Sequence, residues 1–159
     1  MIDIMLPYWG EPEYLFASVR SVQEQSDGDW HLTVVDDCYP DESVPDFFAR
    51  LSDPRITYLR NHENIGIIQN FRKCHELAVG EYVTFMGCDD IMLPNYVSSI
   101  KETVRNIPGV TIVQPGVDVI DAHGEVYLPL ADRIKRLLPP RATQVSNLRG
   151  EPLAESQHI

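Results

Sequence analysis

Between Ile2 and Val113, short β-branched and apolar runs alternate with longer stretches whose apolar residues recur at helical spacing, and few architectures accommodate that order. Ile2 to Leu6, closed by Pro7, and Trp30 to Val35, closed by Asp36-Asp37, read as strands. Leu15, Val19 and Val22 place an amphipathic helix over Glu11 to Gln25 between them. The pattern repeats with a short helix at Val44 to Leu51, a strand at Ile56 to Leu59, and a helix whose apolar stripe is Ile67, Phe71, Cys74 and Ala78. Gly80 is expected to end that helix as a C-cap. Tyr82 to Met86 follows as a fourth strand. Pro94 opens a helix carrying Val97, Ile100 and Val104, and Pro108-Gly109 turns the chain into a fifth strand at Val110 to Val113. Strands joined through helices of this length give an α/β fold: a mostly parallel sheet, helices on both faces and right-handed crossovers.

After Gln114 the rhythm changes. Val117 to Ile120 and Glu125 to Leu128 flank Asp121-Ala122-His123-Gly124 and read as a β-hairpin, so the sheet is expected to become partly mixed. Beyond Leu138, the Pro139-Pro140 pair and the polar stretch to Ile159 hold neither period.

The length of 159 residues and 43% hydrophobic content fit one globular domain with its own core. No apolar run approaches the roughly 20 residues that cross a bilayer, and the N-terminus lacks the basic-then-apolar order of a secretion signal. The expected location is the cytoplasm. Cys38, Cys74 and Cys88 are odd in number without metal-like pairing, so reduced thiols are expected, with no disulfide and no zinc. His31, His62, His75, His123 and His158 are scattered without ligand spacing.

A formal net charge of -11 argues against nucleic acid as a partner, because that affinity comes from Lys and Arg neutralising phosphates. The charge is uneven. Residues 131 to 159 hold Arg133, Lys135, Arg136, Arg141 and Arg149 against Asp132, Glu151 and Glu155. An acidic body that binds a diphosphate needs a divalent cation, Mn²⁺ or Mg²⁺, between the like charges. Within the basic stretch, Ile134 to Arg141 reads as a solvated helix end or as a weak contact with anionic lipid at the inner membrane face.

In an open α/β sheet, ligands bind beyond the carboxyl ends of the strands. Here the second strand ends in Asp36-Asp37, and the fourth runs into Gly87-Cys88-Asp89-Asp90. Successive residues of a strand point to opposite faces, so one acid of each pair can meet a ligand while the other caps a loop. A carboxylate can accept from a nucleobase imide or a ribose hydroxyl, and a second can hold a cation against phosphate oxygens. The plainer alternative for any one Asp is turn formation or N-capping.

These residues carry a resemblance. Leu6-Pro7-Tyr8-Trp9 with Glu13-Tyr14-Leu15, Val34-Val35-Asp36-Asp37 with Asp41, Glu63-Asn64-Ile65-Gly66, and Gly80-Glu81-Tyr82-Val83-Thr84-Phe85 leading to Asp89-Asp90 resemble family 2 glycosyltransferases in order and spacing, over roughly residues 2 to 120. The resemblance implies a GT-A, Rossmann-like, three-layer α/β/α sandwich. It also implies sugar transfer with inversion from a nucleoside diphosphate sugar, a UDP-sugar being the first expectation, to a carbohydrate or other hydroxyl acceptor. Pro7 and Tyr8 would lie along the base and Asp37 would accept from it. Asp89 would correspond to the last carboxylate of the family's Asp-x-Asp element and bind the cation, with Asp90 as second choice. The chain departs from the pattern at Gly87, where the element's first carboxylate would fall, at Cys88 in its middle, and at Phe71-Arg72-Lys73-Cys74, where the family often carries Arg-Asn-x-Gly.

Other residues keep two readings. Asn64 and Gly66 precede a helix whose N-terminus offers N–H groups to an anion, or they form an ordinary turn. Trp9 stacks on a base or sugar, or packs in the core. Cys88 lies beside the acidic pair without a basic neighbour to make a thiolate, which favours packing over chemistry. The catalytic base is not evident; Asp118 and Asp121 are the candidates, against a role in turn geometry. The expected division is a nucleotide-sugar-binding GT-A domain over residues 1–130, expected to be incomplete, and a basic, proline-containing tail over 131–159 leading to a missing second half. Two rivals stand beside this reading: a Mg²⁺-dependent phosphoryl-transfer or hydrolase domain, whose Asp nucleophile and Lys or Ser/Thr partners are not evident, and a non-catalytic nucleotide-binding or interaction module.

Overall fold

β-branched runs form strands here because each finds a parallel neighbour, and the intervening helices bury one stripe apiece. The computed structural model describes residues 1–121 and 124–126. Its elements run β1 (Ile2–Tyr8), α1 (Pro12–Gln23), β2 (Trp30–Asp36), α2 (Ser43–Arg50), β3 (Ile56–Arg60), α3 (Ile67–Leu77), β4 (Tyr82–Phe85) and α4 (Tyr96–Asn106). The sheet order is β3-β2-β1-β4, and every pairing is parallel.

The two faces of the sheet differ. Ile2, Ile4, Leu6 and Tyr8 of β1 and Trp30, Leu32 and Val34 of β2 pack with Leu15, Val19 and Val22 of α1, Val44 and Phe48 of α2, and Val97 and Ile100 of α4. Alternate residues Met5 and Val35 point the other way and meet Cys74 of α3, with Ala78 beside it. Helices on both faces make this an α/β/α sandwich. Burying a Leu, Ile or Val side chain contributes about 1.5–3 kcal/mol, so the larger face carries most of the stability.

Several expectations are corrected. Only Cys74 of the expected α3 stripe is fully buried; Ile67 is 73% exposed and Phe71 41%. Asn70 takes the inward position instead, because its amide donates to the Val35 carbonyl at 2.8 Å. Gly80 is not the helix cap: α3 ends at Leu77 with Ala78 extended. Gly80 is small for another reason, since a Cβ there would lie 2.9 Å from Cγ of Asp3, whose Oδ2 accepts from the Val79 and Gly80 N–H groups at 2.7 Å each.

Residues Met1–Val113 form one compact unit, and those from Gln114 a second. Val110 to Val113 joins no ladder among the described residues, because β propensity makes no strand without a partner edge. The expected antiparallel component is reduced there to one bridge, Ile120 to Val126. The rest of the second hairpin arm and the basic tail lie outside the described residues. No helix among the described residues is long and apolar enough to cross a membrane.

Candidate functional site

Parallel pairing sets the carboxyl ends of β1, β2 and β4 side by side. Tyr8 is in register with Asp36, the Asp37 N–H donates to the Tyr8 carbonyl at 3.0 Å, and the Met86 N–H donates to the Met5 carbonyl at 2.9 Å. The segments following these three strands carry the candidate residues.

Asp36 and Asp37 are 0% and 2% exposed. Asp36 Oδ1 accepts from the Tyr39 N–H at 2.8 Å, Oδ2 accepts from the Tyr58 hydroxyl at 2.6 Å, and Arg60 Nε stands 3.6 Å away as its counter-charge. Burial, reinforced by donation to Asp36, pushes the Tyr58 phenol far above its ordinary range, so it stays a donor. Asp37 Oδ1 accepts from Asn61 Nδ2 and the Ile65 N–H at 2.8 Å each, and Oδ2 accepts from the Gly66 N–H at 2.9 Å. A carboxylate has about four acceptor positions, so about one remains.

The start of α3 is therefore organised by the protein's own anion. Two of the N–H groups offered by Asn64-Ile65-Gly66 point at Asp37, and Asn64 Oδ1 accepts a second contact from the Gly66 N–H at 3.0 Å. Gly66 has φ 83°, a left-handed conformation that suits glycine. Asn61 also donates towards Asn70 Oδ1 at 3.2 Å and accepts from Lys73 Nζ at 2.6 Å, linking Asp37 to a cation on α3.

Aromatic rings stand beside the buried acids. Trp9 is 51% exposed and meets the Tyr39 ring edge-on at 5.2 Å; Tyr8, fully buried, lies 5.5 Å from the same ring. The Tyr8 hydroxyl donates to the Gly10 carbonyl at 2.7 Å, and burial raises its pKa far above the usual phenol range. Pro7 is half-buried in the strand before it. Between Asp37 and Tyr39, Cys38 has φ 62°, a left-handed conformation that costs a side-chain-bearing residue about 1–2 kcal/mol.

The second acidic pair is different. After β4, Gly87 to Asp90 form a tight turn in which the Asp90 N–H donates to the Gly87 carbonyl at 3.3 Å and the Gly87 N–H returns to Asp90 Oδ2 at 3.1 Å. Asp89 and Asp90 are exposed. The turn is held from below by α1: Ser18 Oγ donates to the carbonyls of Cys88 and Asp90 at 3.0 and 2.7 Å, and Ser21 Oγ accepts from the Met92 N–H at 3.0 Å. Gln25 continues the row, donating to the Leu93 carbonyl at 2.8 Å and accepting from the Val97 N–H at 3.0 Å. Cys88 is half-buried with Sγ 3.5 Å from the position a Cβ on Gly10 would take, and burial pushes its thiol up, away from thiolate chemistry.

The sequence reading found both acidic pairs but not their supports. Ser18, Ser21 and Gln25 lie at i, i+3 and i+7 alongside Leu15 and Val22, and this polar row within an apolar stripe was the available signal. Tyr58, Arg60 and Asn61 close on Asp36 and Asp37 from the third strand, a pairing visible only in three dimensions. In the second unit, Asp121 shapes a turn: its Oδ1 accepts from the Glu125 N–H at 3.0 Å, and its carbonyl accepts from the Gly124 N–H at 2.9 Å. Asp118 is exposed in the same unit.

Among the described residues no three His, Cys, Asp or Glu side chains gather into a metal cage. The Gly87–Asp90 turn suits a less demanding arrangement. Mg²⁺ and Mn²⁺ are hard ions that commonly take one or two carboxylates and complete their shell with water and phosphate oxygens. Asp89 and Asp90 both bring a carboxylate oxygen close to one point above Gly87.

Comparison with known proteins bears on the fold and the family. The chain is 34% identical over 99 residues to an Escherichia coli (strain K12) protein named "Putative colanic acid biosynthesis glycosyl transferase WcaA", covering 62% of this chain and 36% of that one. The S. aureus TarS 1–349 structure in complex with UDP-GlcNAc matches with a TM-score of 0.60 at 16% identity, over 71% of this chain and 37% of that one. The mannosyltransferase PcManGT from Pyrobaculum calidifontis, in complex with GDP-Man and Mn²⁺, matches with a TM-score of 0.59 at 18% identity, over 69% of this chain and 33% of that one. These likenesses show the GT-A fold, and the chain spans well under half the length of each protein. The model of the family described as Glycosyl transferase family 2 matches residues 3–150, nearly the whole chain, which therefore belongs to that family.

Proposed function

We propose that this chain binds the nucleoside diphosphate sugar in a cation-assisted, inverting transfer of a sugar to an acceptor hydroxyl. The observation that carries the reading is the convergence of Tyr8, Asp37 and the segment after β4 at one rim of a parallel sheet, where such sheets take ligands. Pro7, Tyr8 and the exposed face of Trp9 would lie along the base. Asp37 would use its remaining acceptor position for an imide N–H, with its other contacts holding it in place. Asp36 supports the rim from inside, through Tyr58 and Arg60. Asn64 and Gly66 shape the loop above the base.

Asp89, with Asp90 beside it, would hold Mn²⁺ or Mg²⁺ against the diphosphate. A cation bound there would supply positive charge to the departing diphosphate, against the chain's formal net charge of -11. Inversion also needs a base on the acceptor side, and Asp118 and Asp121 remain the candidates within this chain. UDP is the first choice of nucleotide, supported by the UDP-GlcNAc complex of the TarS neighbour, with GDP second. The name of the Escherichia coli relative, a glycosyl transferase of colanic acid biosynthesis, supports polysaccharide biosynthesis as the setting, with a carbohydrate or other hydroxyl as acceptor. We place this work in the cytoplasm, at or near the inner membrane face.

Calorimetric titration with UDP, GDP, dTDP and CDP, in Mn²⁺ and in EDTA, tests the reading. One nucleotide is expected to bind with metal support, and Asp89→Ala to lose that support. Equal affinity in Mn²⁺ and EDTA overturns the cation role. A metal dependence that survives Asp89→Ala reassigns it.

A further inference from the structure

We propose that Ser18 of α1 is a positioning residue for the cation site: by pinning the backbone on both sides of Asp89, its hydroxyl aims that carboxylate at the diphosphate-bound cation. The proposal rests on the donor-site reading above and deepens it.

Direction is what such a turn must supply. Mg²⁺ and Mn²⁺ favour octahedral oxygen shells, so a carboxylate that wanders binds them poorly. With glycine at 87, the protein's hold on the ion falls to Asp89 with Asp90 beside it. Glycine also has more backbone freedom to lose on ordering than any other residue. A turn that starts there needs an anchor from outside.

The peptide planes that carry Asp89 and Asp90 are each tied down. In the plane before Asp89, the Cys88 carbonyl accepts from Ser18 Oγ at 3.0 Å. The plane between the two acids holds the Asp90 N–H, which donates to the Gly87 carbonyl at 3.3 Å. In the plane after Asp90, that residue's carbonyl accepts from the same Ser18 Oγ at 2.7 Å. One hydroxyl, sharing its hydrogen between both carbonyls, thus fixes the planes on either side of the acidic pair. Ser18 is itself 0% exposed, on a helix whose Leu15, Val19 and Val22 are fully buried, so the anchor stays put and water does not compete for it. The ends of the segment are held separately: the Met86 N–H donates to the Met5 carbonyl at 2.9 Å, and the Met92 N–H to Ser21 Oγ at 3.0 Å. Losing the Ser18 hydroxyl therefore leaves the segment attached at both ends and loose in the middle, where Asp89 lies.

The test compares Ser18→Ala with the unaltered chain and with Val22→Ala, which loosens the buried face of the same helix without touching the turn. The readouts are UDP affinity in Mn²⁺, UDP affinity in EDTA, the ratio of the two, and the urea unfolding midpoint. Both variants are expected to lower the midpoint. Ser18→Ala alone is expected to lower the ratio, by roughly tenfold, as loss of a group that orients a metal ligand does, while its affinity in EDTA holds. An unchanged ratio in Ser18→Ala overturns the proposal and leaves the donor-site reading standing. An equal fall of the ratio in Val22→Ala overturns it too, because the effect is then general loosening of α1. A fall confined to the EDTA affinity moves Ser18 from the cation to the nucleotide and overturns it as well. An unaltered chain indifferent to Mn²⁺ removes both the proposal and the cation role beneath it.

Discussion

Asp36-Asp37 and Asp89-Asp90 are the same dipeptide, the first at the end of β2 and the second shortly after β4 of one parallel sheet, yet the first pair is enclosed and the second stands in solvent. Their partners make the difference. Tyr58, Arg60, Asn61 and the Ile65 and Gly66 amides converge on the first pair and satisfy nearly every oxygen it has. The second pair sits on a turn gripped by backbone alone, which leaves its carboxylates unclaimed by buried donors. One pair is thus tied into the rim and the other stands open to solvent, where the proposed function places the cation, a division that adjacency in sequence cannot reveal.

The sharpest way to break the comparison is stability. Asp37→Ala removes an acceptor from the buried Asn61 amide and from the part-buried Ile65 and Gly66 N–H groups, of which Asn61 and Gly66 keep a second acceptor in Asn70 and Asn64, and a donor left unpaired in a buried setting costs about 1–3 kcal/mol. A loss of about 1–3 kcal/mol in urea unfolding is expected, against less than about 0.5 kcal/mol for Asp89→Ala, an exposed change. Similar losses for the two variants would erase the distinction. A smaller effect sharpens the second half. Ser18→Ala removes the α1 grip on the turn and is expected to cost about 1–2 kcal/mol, with faster hydrogen exchange at the Asp90 amide.

Asp53 calibrates the scale between the two pairs. It is part-buried and hydrogen-bonded to Arg55 by Nη2 at 2.8 Å and Nε at 3.0 Å, and those bonds hold its pKa at about 2. A depressed folded-state pKa means the contribution is present above the ordinary value of 3.8 and is lost as pH falls through about 2. Arg55 is 37% exposed, so solvent screens the pair. Asp53→Asn is expected to cost below about 1 kcal/mol at neutral pH, and progressively less as the pH falls towards and below about 2 in urea unfolding.

Strands and helices up to α4 were legible because period, Pro and Gly mark them locally. Val110 to Val113 reads as strongly as β3 does, but a strand is a property of two edges. The face of α3 was misjudged because apolar spacing at 67, 71, 74 and 78 outweighed Asn70, whose burial depends on the Val35 carbonyl in another element. The acidic pairs were found from their position at strand ends. Their opposite environments were hidden, because Tyr58 and Asn61 approach Asp36 and Asp37 from 22 and 24 positions away, and Ser18 reaches Cys88 and Asp90 across 70 and 72.

The sheet order also has a bearing on how the protein assembles. β1 pairs Ile2 with Trp30, about 28 positions on, and with Tyr82, about 80 positions on, so the second closure carries roughly 0.9 kcal/mol more loop entropy than the first. β2 can zip onto β1 and β3 onto β2, with the buried acids and their supports already in hand. β4 joins from farther along, and the turn bearing Asp89 and Asp90 follows it. During folding, the enclosed half of the rim can form while its exposed half is still unmade, and β4 docking is the event that brings the two together.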